Sequence, residues 1–222
     1  MNEEFKLFED KESAVRFYSE KVVRRFDLLN QKETGFHEVD IKRFEVRQCV
    51  VFELGVSAIV MISVTLEECL KTLLKYHYFL NNLSQSPELD LEEWERTSLE
   101  AEDAFGTFKL HNAIQKARKE NLIDETEEKH LLEIKEFIRN AFVHSDKSKI
   151  FDAQAKTRVD AIKLEDGKFQ HKGNREMSIL GLNIAQGFAE KDLANRESPR
   201  IVEQIDTIIT TICDRFWKTH SL

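Results

Sequence analysis

Only seven glycines and two prolines punctuate this chain of 222 residues. Chain breakers this scarce favour long helices over a many-turned β protein. The chain is long enough for one domain with a sizeable core. Its balance of 33% charged and 41% hydrophobic residues is that of a soluble globular protein. Sixteen phenylalanines against two tryptophans and three tyrosines point to a core of apolar rings.

Apolar periodicity divides the chain into helices. Residues 11–30 place Val15, Tyr18, Val22, Val23, Phe26 and Leu29 at helical spacing, and the stretch around Gly35 then breaks the pattern. From Ile41 to Leu80 one nearly unbroken helix is expected, roughly 60 Å long. Val50, Val51, Leu54, Val56, Ile59, Met61, Ile62 and Leu66 make it apolar almost all round, so it belongs at the centre of a bundle, with Gly55 as its weak point. A loop follows at "NNLSQSPELD", with Asp90 or a neighbour capping a short helix around Trp94. Residues 107–121 form another amphipathic helix. After the joint "NLID", Asp124 and Glu127 spell a capping box, and Glu125, Glu127 and Glu128 suit the positive end of the helix dipole. That helix carries the stripe Leu131, Ile134, Ile138, Ala141 and Phe142 and is expected to end near His144.

Beyond it, "TRVDAIKLEDGKFQ" sets an Asp-Gly turn between alternating runs, a β-hairpin signal. Near the C-terminus Ser198 is read as a cap and Pro199 as a first helical position. Ile201, Ile205, Ile208 and Ile212 follow 4-3-4 spacing, as a packing seam against the bundle or as a dimer seam. The expected organisation is a single all-α domain over residues 1–222. Its helical core covers about 11–148, a hairpin-containing segment about 150–180, and C-terminal helices about 181–219.

Several function classes lack their signatures. "MNEEFKLFED" opens acidic, unlike a signal peptide, and Leu54–Leu66 is too short an apolar run to span a bilayer, so a cytoplasmic protein without membrane contact is expected. Cys49, Cys69 and Cys213 read as reduced core thiols, with a three-thiolate metal site as the sharper alternative. No HExxH pair, Walker loop, dinucleotide fingerprint or GxSxG elbow occurs, and no cofactor is expected. Net charge is −8, which argues against a general nucleic-acid coating protein. Residues 139–175 depart from it, with nine Lys/Arg against five Asp/Glu, a local +4 that leaves −12 elsewhere.

That basic stretch begins at "IRNAFVHSD", residues 138–146. Arg139, Asn140 and His144 offer a guanidinium, an amide and an imidazole, the groups that bind phosphate and move protons. Spacing alone is weak evidence. With thirteen arginines and seven histidines, about one such pair arises by chance. Arg215 and His220 in "RFWKTH" are a decoy of the same spacing. On an ideal helix Asn140 and His144 share a face, whereas Arg139 and His144 stand about 140° apart. A fraying helix end, a bent arginine side chain or a second copy across a two-fold axis would bring them together. The plain structural alternative pairs Arg139 with a carboxylate such as Glu67 or Glu136 and leaves His144 as a helix C-terminal cap.

The run "LIDETEEKHLLEIKEFIRNAFVHSD" resembles the signature helix of the HEPN superfamily, the higher-eukaryote and prokaryote nucleotide-binding domains. Arg139, Asn140 and His144 match that family's motif of Arg, a polar residue and a later His. "SVTLEECLKTLLKYHY" is similar to its preceding core helix, with Glu67 where an acidic residue often supports the site. The likeness spans roughly residues 50–150. It implies a helical bundle that dimerises to join two motifs in one cleft, and a metal-independent endoribonuclease. His144 would be the general acid or base, Arg139 would hold the phosphate and Asn140 would orient it. Lys147 and Lys149 would attract the RNA backbone. A toxin–antitoxin or phage-defence setting, with an inhibitory or antitoxin partner, belongs to the same resemblance. The alternative is a non-catalytic dimeric module that binds RNA, a nucleotide or a protein partner. One departure stands out. HEPN toxins paired with a minimal nucleotidyltransferase often have a tyrosine two residues after the histidine, where this chain has Asp146.

Overall fold

The computed structural model describes residues 10–83, 90–136, 156–165, 168–178 and 183–220, and these are predominantly helical. Helix α1 spans Lys11–Arg24, and a 3-10 turn covers Phe26–Leu29. Then come α2 (His37–Val51), α3 (Gly55–Asn82), α4 (Leu91–Phe105), α5 (Leu110–Lys119) and α6 (Glu125–Ile134). Strands β1 (Lys156–Glu165) and β2 (Lys168–Ser178) pair antiparallel, with an irregularity between Asp160 and Ile162, and α7 (Asn183–His220) follows. Asp166 and Gly167, the expected turn, lie outside the described residues.

Helix α3 is the centre, packed by α2, α4, α5 and α7. Its Ala58, Ile59, Ile62, Leu66, Cys69, Leu70 and Leu73 are wholly buried. The expected single helix from Ile41 to Leu80 is instead two helices. The chain turns at Phe52–Leu54, where Glu53 adopts a left-handed conformation (φ 58°). The Leu54 N–H donates to the Cys49 carbonyl (2.8 Å) and the Glu53 N–H to the Val50 carbonyl (3.1 Å), the pattern of a Schellman cap on α2. Such a position usually holds glycine. Here the glutamate carboxylate accepts from Lys21 and from Arg25 (3.1 Å), while Arg25 also donates to the Val50 carbonyl (2.7 Å), so the turn doubles as the anchor of α1. The anchor matters because α1 buries no residue of its own. Leu54, expected in the core, is half exposed beside this corner.

Gly55 serves a different need. A Cβ there would stand 2.4 Å from the Ala194 carbonyl carbon and the Asn195 nitrogen. Backbone thus rests on backbone where α3 crosses α7. Leu54 provides no side-chain cap for α3, and the Gly55 N–H donates instead to Asn195 Oδ1 (2.8 Å).

Helix α7 also corrects the expectation at its start. Ser198 and Pro199 do not open a helix; they lie within one already running from Asn183, with Pro199 inside it and Ser198 buried. Proline removes the N–H that the Asn195 carbonyl would receive, a local cost of about 3 kcal/mol in a helix interior. Packing against α3 overrides it. Ile201, Ile205 and Ile212 of the isoleucine seam are buried within this chain's own core with Ile209 and Phe216, while Ile208 is only partly buried against it.

A buried charge network joins α7 to α2. The Arg43 guanidinium is fully buried, and all five of its N–H groups are used. They reach both oxygens of Asp206 (2.7 and 3.1 Å), Asp40 (2.6 Å), the Lys32 carbonyl (2.7 Å) and Thr210 Oγ1 (3.1 Å). Arg47 adds bonds to Asp206 (2.5 Å) and to the Leu28 carbonyl (2.8 Å). Burial works against the charge on Arg43, but Asp206 and Asp40 outweigh it and raise its pKa further.

The three cysteines are free. Cys69 and Cys213 are buried with sulfurs 3.6 Å apart, and the neighbouring thiol and burial push the Cys69 pKa well up. Cys49 lies against Met61 instead. Among the described residues no cluster of three His, Cys, Asp or Glu is placed to hold a metal, and no helix is long and apolar enough to cross a membrane.

The α3–α7 crossing gives a direct expectation. Gly55→Ala should cost about 2–3 kcal/mol in urea denaturation, because backbone on both sides must move. Asn195→Leu, which removes only the cap acceptor, should cost about 1 kcal/mol. A Gly55→Ala protein as stable as the parent would contradict this crossing.

Candidate functional site

Arg139, Asn140, His144, Lys147 and Lys149 lie outside the described residues. The chain before them is described as far as Glu136, and α6 ends at Ile134. It starts as its sequence indicates. Asp124 accepts from the Glu127 N–H (2.8 Å), and Glu127 accepts in return from the Asp124 N–H (2.8 Å). Three glutamates occupy the first turn, against the positive end of the dipole. Leu131 and Ile134 are buried, which sets the core-facing side of α6.

Glu67, the expected supporting acid, sits two-fifths of the way along α3 with its side chain only 16% exposed. Its Oε2 accepts from the Leu110 N–H at 2.8 Å, and its Oε1 lies 3.4 Å from Lys71 Nζ. Lys109, at the N-cap of α5, makes no side-chain cap, so Glu67 caps that helix from α3. A carboxylate at a helix N-terminus is favourable both as an acceptor and as a charge. Beside it on α5, Nδ1 of His111 is buried with no hydrogen-bond partner among the described residues. No sequence pattern distinguished His111 from the other histidines.

The decoy pair is resolved by geometry. Arg215 Nη2 donates to Glu127 (2.6 Å) and to the Leu122 carbonyl (3.3 Å), and Arg215 also lies 3.9 Å from Asp124. It thereby ties α7 to the capped start of α6. His220 turns elsewhere, with Nε2 3.3 Å from Nδ1 of His77 and Nδ1 2.9 Å from the Phe216 carbonyl. Arginine and histidine of "RFWKTH" are committed to separate structural contacts.

Glu67 can be tested apart from any activity. Glu67→Gln keeps the acceptor for the Leu110 N–H and should change stability by less than about 0.5 kcal/mol, whereas Glu67→Ala should cost about 1 kcal/mol by loss of the cap. Thermal or urea unfolding of both variants is the check, and equal losses would remove the capping role.

Compared with protein-family models, curated proteins and solved structures, the chain gives no match in any of the three.

Proposed function

We propose that this chain is a metal-independent endoribonuclease of the HEPN type, working as a homodimer with a composite cleft. The observation that carries the reading is the set Arg139, Asn140 and His144, which follows the well-capped helix α6 in the sequence. The rival pair of the same spacing, Arg215 and His220, is occupied by contacts within the chain. The predominantly helical bundle around a buried α3 is compatible with that family's architecture.

RNA brings its own nucleophile, so the protein must move protons and hold charge. His144 takes the 2′-hydroxyl proton or delivers one to the departing 5′-oxygen, an exchange suited to an imidazole near neutral pH. Arg139 donates two hydrogen bonds to the non-bridging phosphate oxygens as negative charge builds in the transition state. Asn140 orients the phosphate or the imidazole. Lys147 and Lys149 supply attraction for the backbone, against the nearby negative charge of Asp146. The bond between phosphorus and the 5′-oxygen breaks as that to the 2′-oxygen forms, leaving a 2′,3′-cyclic phosphate and a 5′-hydroxyl. On an ideal helix Arg139 and His144 would stand about 140° apart, so a second subunit is the simplest way to complete the site. An inhibitory partner in a toxin–antitoxin or phage-defence setting suits such an enzyme.

The test is incubation of the protein with total RNA and tRNA in EDTA, beside Arg139→Ala and His144→Ala. Cleavage by the parent with 2′,3′-cyclic ends is expected, with losses of at least about 100-fold in each variant. Intact RNA in every lane, from a folded dimer, would instead favour a non-cutting module that binds RNA, a nucleotide or a protein. Cleavage that survives both substitutions would refute the assignment.

A further inference from the structure

The contact between His77 and His220 goes beyond the nuclease reading and rests on different residues. His77 lies on α3 and His220 in the last turn of α7, with their rings edge to face at 5.4 Å. Hydrogen-bond logic fixes both tautomers. The Phe216 carbonyl can only accept, so His220 Nδ1, 2.9 Å away, carries a hydrogen. The other nitrogen of a neutral His220 is then an acceptor. His77 Nδ1, 3.3 Å from it, must donate. That leaves His77 Nε2 to accept from the Asn81 side-chain amide at 3.0 Å. Every ring nitrogen is satisfied with both rings neutral.

We propose that His77 and His220 form a proton-operated latch, which fastens the last turn of α7 to α3 until both imidazoles are charged and releases it in acid. The first added proton can be shared between the facing nitrogens, with Asn81 reversing its amide to accept from His77 Nε2. A second proton has no place, since both inner nitrogens would then carry hydrogens and positive charge 3.3 Å apart.

The surroundings set the sign. From α5, Glu120 Oε2 stands 3.8 Å from His77 Nε2, and Lys116 is paired with Glu120 at 2.6 Å. From α7 the facing titratable group is His220; on α3 itself the near polar neighbour is the neutral Asn81. Burial, His220 and Lys116 lower the His77 pKa, opposed by Glu120. Lys116 in turn lowers the pKa of Glu120, keeping it ionised. An unfolded imidazole takes up its proton near pH 6.5, while His77 in the folded chain resists it. The folded state thus binds fewer protons below that point. The latch contributes in full above about pH 6.5 and is lost as pH falls below it.

The released turn would uncover an aromatic cluster. His220 stacks on Phe216 (4.3 Å between ring centres), and Trp217 stacks on Phe36 (4.9 Å) while its Nε1 donates to the Thr34 carbonyl (2.9 Å). Gly35 accommodates that indole, since a Cβ there would meet Trp217 Nε1 at 2.5 Å. Trp217 is therefore a reporter at the latch itself.

The experiment follows Trp217 emission from pH 8 downward in full-length Trp94→Phe protein, with helicity by circular dichroism alongside. A red shift is expected below about pH 6.5, before helicity is lost. Glu120→Gln, which removes the stabilising carboxylate, should move the midpoint down by about half a unit to one unit. Lys116→Met should move it up by a similar amount. His77→Asn, which cannot titrate, should abolish the separate step. Two surface charge variants with opposite shifts cannot arise from general destabilisation. A single transition coincident with helix loss, unmoved by all three substitutions, would overturn the latch.

Discussion

One buried cation organises much of this molecule. The Arg43 guanidinium joins the middle of α2 to Asp206, 163 positions later on α7, and at the same time holds the segment before α2 through the Lys32 carbonyl. Two arginines and two aspartates balance in charge, so the network is neutral as well as bonded. Desolvating such a group costs several kcal/mol, and only a complete set of partners recovers it. That demand is specific in direction. Asp40 must also accept from the Thr34 N–H, and Thr210 must sit one turn beyond Asp206, so the register of α7 against α2 is fixed by donors and acceptors. Apolar packing alone would tolerate neighbouring registers.

With that register set, α3 and α7 meet at the close backbone contact of Gly55 with Ala194 and Asn195. The isoleucine side of α7 then covers Ile59, Ile62, Leu66 and Cys69 of α3. Polar ties finish the ends. Arg215 fastens α7 to the capped start of α6, Glu67 caps α5 from α3, and Glu53 secures α1. The segment bearing Arg139 and His144 thus continues from a helix whose start is held by both its own capping box and a neighbouring arginine.

Local chemistry was the legible part of the sequence. Asp90 and the Asp124–Glu127 box cap helices as their residue types indicate, and Ile201, Ile205 and Ile212 of the 4-3-4 isoleucines are buried in the core. The errors arise where tertiary contacts override local preference. The corner after α2 carries glutamate rather than glycine at its left-handed position, because ion pairs with Lys21 and Arg25 favour it there. Gly55 read as a weak point in a helix, yet its absent side chain answers a helix crossing. Ser198-Pro199 has the residues of a helix start but lies inside α7. Arg43 carries no local sign of burial, since Asp206 and Thr210, its partners on α7, lie far along the chain. For the candidate site, the residue types and spacing of Arg139, Asn140 and His144 were readable, but their geometry depends on contacts a pattern does not contain. Glu67 was noticed as an acid; its use as the cap of α5 follows only from the packing of α3 on α5.

The most direct test of the buried network is a double-mutant cycle of Arg43→Met and Asp206→Leu, followed by urea unfolding. Each single substitution should cost about 3–5 kcal/mol by stranding a buried opposite charge. The double variant should lose less than the sum by at least about 2 kcal/mol, because neither charge then remains to be stranded. Losses that add to within about 0.5 kcal/mol would contradict the coupling and show that α7 is held to α2 by apolar packing alone.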